Sequence, residues 1–219
     1  MILFVDIDGV LHPDPPQPDQ RLRSLPRLVE VLRDHPQVEV VISSLWREHL
    51  SLEQLRDLFP VDLRERIIDV TPIAERIDGW LPARREGEIL EWLEASGRAG
   101  ESWLAIDDQK WQFTQRRDLL IACDFYDGIT DAIEAELRER LAEFAAIERF
   151  LAWASAQYEI EQAIVQSCRA SGRSGKPKCR RASEIASSIV ISPSIQRACS
   201  SRENDDGLYP STSPIVPRA

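Results

Sequence analysis

The residues best suited to chemistry stand near the start of the chain. A short apolar run, Ile2 to Val5, passes into Asp6-Ile7-Asp8-Gly9-Val10. A carboxylate at the end of a strand can attack phosphorus and carry the phosphoryl group as an aspartyl-phosphate. A second carboxylate two residues on can protonate a leaving group and then take a proton from water. Gly9 lets the backbone turn sharply between strand and loop. A nucleophile of this charge needs a cation beside it, and a hard ion such as Mg²⁺ prefers carboxylate oxygens. In isolation the motif is equally consistent with a solvated turn, so other polar clusters must decide.

Three such clusters exist. Ser43 and Ser44 follow Val40-Val41-Ile42, where a hydroxyl can donate to a phosphoryl oxygen. Asp107-Asp108 follows Trp103-Leu104-Ala105-Ile106. Adjacent acids at a strand end repel unless a cation or hydrogen bonds offset them, which favours cation binding. A positive side chain should also balance the phosphate. The first 165 residues contain a single lysine, Lys110, so the role falls to it or to arginine. Arg84 and Arg85 stand just before an amphipathic stretch, and a guanidinium there could grip phosphate as a fork. A surface pair of Arg85 with Glu88 is the alternative. Trp46 and Arg47 lie beside the serines. They could stack on a base and hold a phosphate, or else pack under the loop and pair with a local acid.

These groups need a scaffold that brings strand ends together. Buried strands are expected at Ile2 to Val5, Val38 to Ile42, Ile67 to Val70, Trp103 to Ile106 and Leu119 to Cys123. Helices are expected over Leu22 to Leu32, Ser51 to Leu58 (Ser51 as N-cap, with Glu53 or Gln54 in the first turn), Glu86 to Ala95, and from Thr130-Asp131 through Leu137 and Leu141. Ser96-Gly97 should stop the third of these. His12 to Asp19 is rich in proline and reads as a loop. Alternation of strand and helix implies an α/β fold, a mostly parallel sheet covered on both faces. In such sheets a site forms at the carboxyl ends of the strands, where strand order switches. Asp6, Ser43/Ser44 and Asp107/Asp108 all stand at such ends.

In this order the motifs resemble those of the haloacid dehalogenase (HAD) superfamily of phosphohydrolases, over about residues 1–145. The nearer resemblance is to the HAD domain of Swiss-army-knife RNA repair proteins. Its carriers are Ser44-Leu45-Trp46-Arg47, Arg85-Glu86-Gly87-Glu88-Ile89 and Gly128-Ile129-Thr130. The resemblance implies a Rossmann-like three-layer sandwich and Mg²⁺. It implies Asp6 as nucleophile, Asp8 as acid/base, Ser44 (with Ser43 next) at the second motif, Arg84 or Arg85 at the third, and Asp107 with Asp108 as metal ligands. Asp6 and Asp8 join that ligand set, and Gly9, Trp46 and Arg47 the substrate contacts. Three departures stand out. The usual third-motif lysine is missing, Leu45 replaces a small polar residue, and Gln109 stands where relatives often have a third acid. Residues 8–44 and 44–85 are filled by the expected helices and connectors, so no cap domain fits. The resemblance then favours a bulky substrate, such as a nucleic-acid end or a phosphoprotein, and phosphomonoesters of nucleic acids or nucleotides are the expected candidates.

Composition bounds the rest. The 219 residues carry a formal net charge of −10, which gives no bulk attraction to nucleic acid or anionic membranes. No signal peptide and no membrane span is read, and the four cysteines form no Cys-x-x-Cys pair, so a cytoplasmic, reduced protein is expected. Cys123 reads as a core residue at a strand end. After a domain over residues 1–145, a helical extension is expected over 146–165. A Ser/Arg-rich tail over 166–219 holds nine Lys and Arg against four Asp and Glu and is expected to be irregular or disordered. The function expected is a Mg²⁺-dependent phosphomonoesterase. A catalytically weak binding or regulatory module on the same fold is the alternative. A phospho-accepting receiver domain ranks lower, since serine stands where its acceptor Asp would be.

Overall fold

Four of the five apolar runs bury every residue or nearly so, which is what a sheet covered on both faces requires. The computed structural model describes residues 1–73 and 84–170. It contains β1 (Ile2–Val5), α1 (Leu25–Asp34), β2 (Glu39–Ile42), α2 (Leu52–Arg56), β3 (Ile67–Val70), α3 (Arg84–Ala95), β4 (Trp103–Asp107), β5 (Leu120–Ala122) and α4 (Asp131–Ala170). The strands form one sheet in the order β3-β2-β1-β4-β5, and every pairing is parallel. β1 is the central strand. The chain moves outward through β2 and β3, then crosses back to β4 on the other side of β1. The switch in order therefore lies at the carboxyl end of β1, where Asp6 stands.

Alternation along the strands divides the core in two. Leu3, Val5, Val40, Ile42, Leu104 and Ile106 face one layer, packed with Leu28 and Leu32 of α1, Leu55 of α2, and Leu137 and Leu141 of α4. Ile2, Phe4, Val41, Trp103 and Ala105 face the other, packed with Ile89, Trp92 and Leu93 of α3. The result is a three-layer α/β/α sandwich. Among the described residues no cap domain interrupts it.

Several boundaries differ from expectation, each for a local reason. α1 starts at Leu25 rather than Leu22, because Pro26 lacks the N–H a later helical position would need and is tolerated only in the first turn. Leu22 instead adopts φ +57°. α3 starts at Arg84, so Arg84 and Arg85 belong to its first turn rather than preceding it. α2 keeps its Ser51 cap, in a box with Gln54. Gly97, at φ +71°, ends α3 as expected.

The chain divides into two units, Met1–Ala146 and Ile147–Ala219. In the second, α4 continues to Ala170, so residues 166–170 are helical, against the expectation of an irregular tail from 166. The rest of that tail, residues 171–219, lies outside the described residues. No helix among the described residues is long and apolar enough to cross a membrane.

Candidate active site

The loop leaving β1 places the first acids. Asp6 is 3% exposed. Its backbone N–H donates to Ile106 O of β4 (3.1 Å), and its Oδ1 accepts from the N–H of Ile7 (2.8 Å). Its Oδ2 is left to face Arg85. Gly9 turns the chain at φ +70°. A Cβ there would lie 2.6 Å from Asp108 Cγ, so glycine is required for the loops after β1 and β4 to touch.

β4 delivers the second acids. Asp107 ends the strand with no exposed surface. Its Oδ1 accepts from the Gln109 N–H (2.8 Å). The buried Oδ2 of Asp107 and Oδ1 of Asp108 have no hydrogen-bond partner. One oxygen from each of Asp6, Asp107 and Asp108 lies within 4.8 Å of the others. Burial and the neighbouring Asp6 charge push both Asp107 and Asp108 up from the usual carboxylate range, Asp108 to about 6, while Arg85 opposes the rise. Unsatisfied buried carboxylate oxygens cost stability unless something positive meets them. The donor set is all carboxylate and suits a hard divalent cation such as Mg²⁺.

Arg85 supplies fixed positive charge. Its side chain is buried, with Nη2 3.4 Å from Asp6 Oδ2 and Nε 3.6 Å from Asp107 Oδ2. Nη1 is buried without a hydrogen-bond partner. Burial alone would pull the Arg85 pKa down; Asp6 and Asp107, with Glu88 and Asp108, outweigh it and raise it. The open choice between arginines is thus resolved in position: Arg85 meets the acids, while Arg84 Nε donates to Glu88 (3.0 Å). Lys110 is exposed on a 3-10 turn.

Two buried glutamates, which the sequence reading did not single out as site residues, hold this geometry. Glu86 accepts backbone N–H bonds from Thr114, Gln115 and Arg116. The Arg85 N–H donates to Gln112 Oε1 (3.3 Å). The first turn of α3 is therefore tied to the loop after Asp108. Glu88 accepts from Arg47 Nη2 (2.6 Å) and from Arg84. The helical-surface pair of Arg85 with Glu88 is not formed.

The serine motif is arranged for support. Ser43 and Ser44 are buried. The Ser43 N–H donates to Val5 O (2.9 Å), which pins the end of β2 beside Asp6. Ser44 Oγ caps the 3-10 turn Leu45–Glu48 by accepting from the Trp46 N–H (3.4 Å). A hydroxyl that accepts keeps its own proton to donate.

Of its two expected roles, Arg47 takes the pairing with an acid rather than the reach for a phosphate. Its five donors are all engaged inside the fold: Nε on Thr71 O, Nη1 on Ser43 O and Ser44 O, Nη2 on Pro72 O and Glu88. The side chain is 1% exposed. It locks the loops after β2 and β3 to α3 and has no donor left for phosphate. Trp46 likewise has another task than stacking on a base. Its indole N–H donates to both oxygens of Asp8, at 3.0 and 2.9 Å, and the Arg21 guanidinium sits 5.0 Å above its ring.

Asp8 stands apart from the cation group to which it was expected to belong. Its carboxylate is not among the three that converge, and its Oδ1 also lies 3.0 Å from His12 Nε2. His12 is not among the site residues expected from sequence; its i, i+4 spacing from Asp8 is the one signal that points to it. Cys123 is 2% exposed, as expected of a core residue. Burial, with Asp107 and Asp108 nearby, pushes its thiol pKa up, which removes it as a nucleophile.

An all-parallel sheet with Asp6 at its switch point, acids at the next strand end and a cation from the intervening helix defines a domain of the HAD superfamily. The chain belongs to the family described as the HAD domain in Swiss Army Knife RNA repair proteins, whose model matches residues 2–133. No curated protein matches it.

Proposed function

We propose that this chain is a Mg²⁺-dependent phosphomonoesterase in which Asp6 is the nucleophile and Asp8 the proton carrier. The observation that carries this reading is the buried group of Asp6, Asp107 and Asp108, with two buried carboxylate oxygens that accept no hydrogen bond and the Arg85 guanidinium against it. Three carboxylates face one guanidinium, and two unit charges 4 Å apart interact by about 4 kcal/mol at an effective dielectric of about 20. A phosphate could not approach Asp6 against that excess. A Mg²⁺ ion bound by Asp6, Asp107 and Asp108 would supply the missing positive charge.

The remaining chemistry belongs to the chain's own residues. The Asp6 carboxylate attacks phosphorus and forms a P–O bond, and the ester P–O bond breaks. Asp8 gives its proton to the departing oxygen. Water then attacks the same phosphorus, loses a proton to Asp8, and releases Asp6 with inorganic phosphate. Arg85 offers Nη1 to a phosphoryl oxygen, and Ser44 can donate its hydroxyl proton to another.

The substrate class proposed is a phosphorylated nucleic-acid end or nucleotide. The RNA-repair setting of the family supports it, as do exposed rings on loops at the carboxyl edge: Trp111 after β4, Phe125 and Tyr126 after β5. Such rings accept bases of any sequence. Release of inorganic phosphate from an aryl phosphate and from 3′- and 5′-phosphorylated oligonucleotides, with and without Mg²⁺, tests the reading. Full activity in Asp6→Asn would refute it. A second reading, a weakly active binding module, draws on the direct approach of Arg85 to Asp6, which restrains the nucleophile. Mg²⁺ binding without turnover on any phosphomonoester would favour it.

A further inference from the structure

One feature of the site is not needed to explain the cation or the nucleophile. The Asp8 carboxylate is 38% exposed, yet two side chains hold it: the Trp46 indole N–H, shared between both oxygens, and His12 Nε2 on Oδ1. The holders are themselves fixed. Trp46 is anchored by its backbone N–H on Ser44 Oγ, by Arg21 above its ring and by the His12 ring 5.8 Å away. His12 has no exposed surface. An indole nitrogen can only donate, so the contact has one polarity and one partner type.

We propose that Trp46 and His12 are positioning residues that fix the Asp8 carboxylate for proton delivery to the leaving oxygen. A short Asp side chain without them could rotate toward the Asp6, Asp107 and Asp108 group or into solvent. Either rotation would withdraw the proton carrier while leaving the nucleophile intact. The inference rests on the phosphomonoesterase reading and on Asp8 as its acid, and it assigns a role to residues that reading does not require.

The test uses the full chain with Mg²⁺ and two esters. An alkyl phosphate, glycerol 2-phosphate, needs a proton on its departing oxygen; p-nitrophenyl phosphate leaves as a stabilised anion and needs it far less. The ratio of kcat/KM reports the step up to leaving-group departure, and the later hydrolysis of the aspartyl-phosphate does not enter it. Trp46→Phe keeps a ring and removes the N–H. It should lower kcat/KM for the alkyl ester by about 10²-fold, the lower end of what general acid catalysis contributes, and for the aryl ester by much less. His12→Leu should move the ratio the same way, and His12→Gln, which restores a donor, should recover part of it. An equal fall on both esters means a purely structural role and overturns the proposal, as does an unchanged ratio. A second readout is independent of turnover. The Trp46 indole proton resonance, assigned by its loss in Trp46→Phe, should shift in Asp8→Asn, and an unmoved resonance overturns the clamp. Wild type inactive on both esters overturns the phosphomonoesterase reading and the clamp with it; active wild type with an unchanged ratio in Trp46→Phe overturns the clamp alone.

Discussion

Arg85 Nη2 lies 3.4 Å from Asp6 Oδ2, at the long end of hydrogen-bond range. The contact is therefore chiefly one of charge, and the guanidinium can turn toward an arriving phosphate without breaking a strong bond. Arg85→Met should lower kcat by about 10²–10³-fold, the scale of losing one preorganised donor at a developing charge. Arg85→Lys should restore part of the rate, because a point charge replaces the fork. Steady-state kinetics on an aryl phosphate decides it, and a Met variant as active as wild type would remove Arg85 from the site.

Arg47 should behave as a structural residue. Replacing it by Met leaves Glu88 buried with Arg84 as its remaining named ion-pair partner and five carbonyl or carboxylate contacts unmade. Breaking a buried pair from one side costs about 3–5 kcal/mol. Urea denaturation should show a loss of that order. A raised KM at unchanged stability would instead mark Arg47 as a substrate contact.

Gly9→Ala should hurt both stability and cation binding. Alanine is strained at φ +70°, and its Cβ would displace Asp108. The strain is worth about 1–3 kcal/mol. Calorimetric titration with Mg²⁺ should show weaker binding than wild type, and unchanged affinity would mean Asp108 does not contribute a ligand.

Without Mg²⁺, stability should fall as pH rises. Burial raises the folded-state pKa of Asp107 and Asp108 above the unfolded value of 3.8, Asp108 to about 6. The folded chain thus binds more protons than the unfolded one, and the favourable contribution is fully present below the unfolded value and lost as pH rises from there through the raised values. Mg²⁺ competes with those protons, so its stabilising effect should grow over the same range. Thermal melts from pH 5 to pH 8 with and without Mg²⁺ check both slopes; equal slopes would separate the acids from the cation.

Much of this was legible in the residues. The four buried strands are readable because buried parallel strands are near-continuous apolar runs, the half-buried edge strand β3 is marked by Ile67, Ile68 and Val70, and Asp6, Ser43/Ser44 and Asp107 are marked by standing where the runs stop. The three-layer fold followed from strand and helix alternation. Pairing of Arg47 with an acid is one of the two roles its position allows, but its other partners are backbone carbonyls of the loops after β2 and β3, and carbonyls leave no trace in sequence. Glu86 and Glu88 look like ordinary solvated helix residues; they are buried, and the backbone amides at 114–116 and Arg47 that meet them lie far away in sequence. The spacing places Asp8 beside the cation ligands but cannot say which way its carboxylate rotates. Trp46, 38 residues away, decides that.

Glu86 has a consequence for anyone who would remodel this site. Its carboxylate grips three successive backbone amides at 114–116 while its neighbour Arg85 reaches Asp6 and Asp107. Helix and loop are thereby geared together, and one cannot be shifted without dragging the other. Grafting a longer connector between Asp108 and Thr114 to admit a different substrate would slacken that gear and misalign the guanidinium. The tunable part of the rim is instead the exposed aromatic pair after β5, Phe125 and Tyr126, which the gear does not engage.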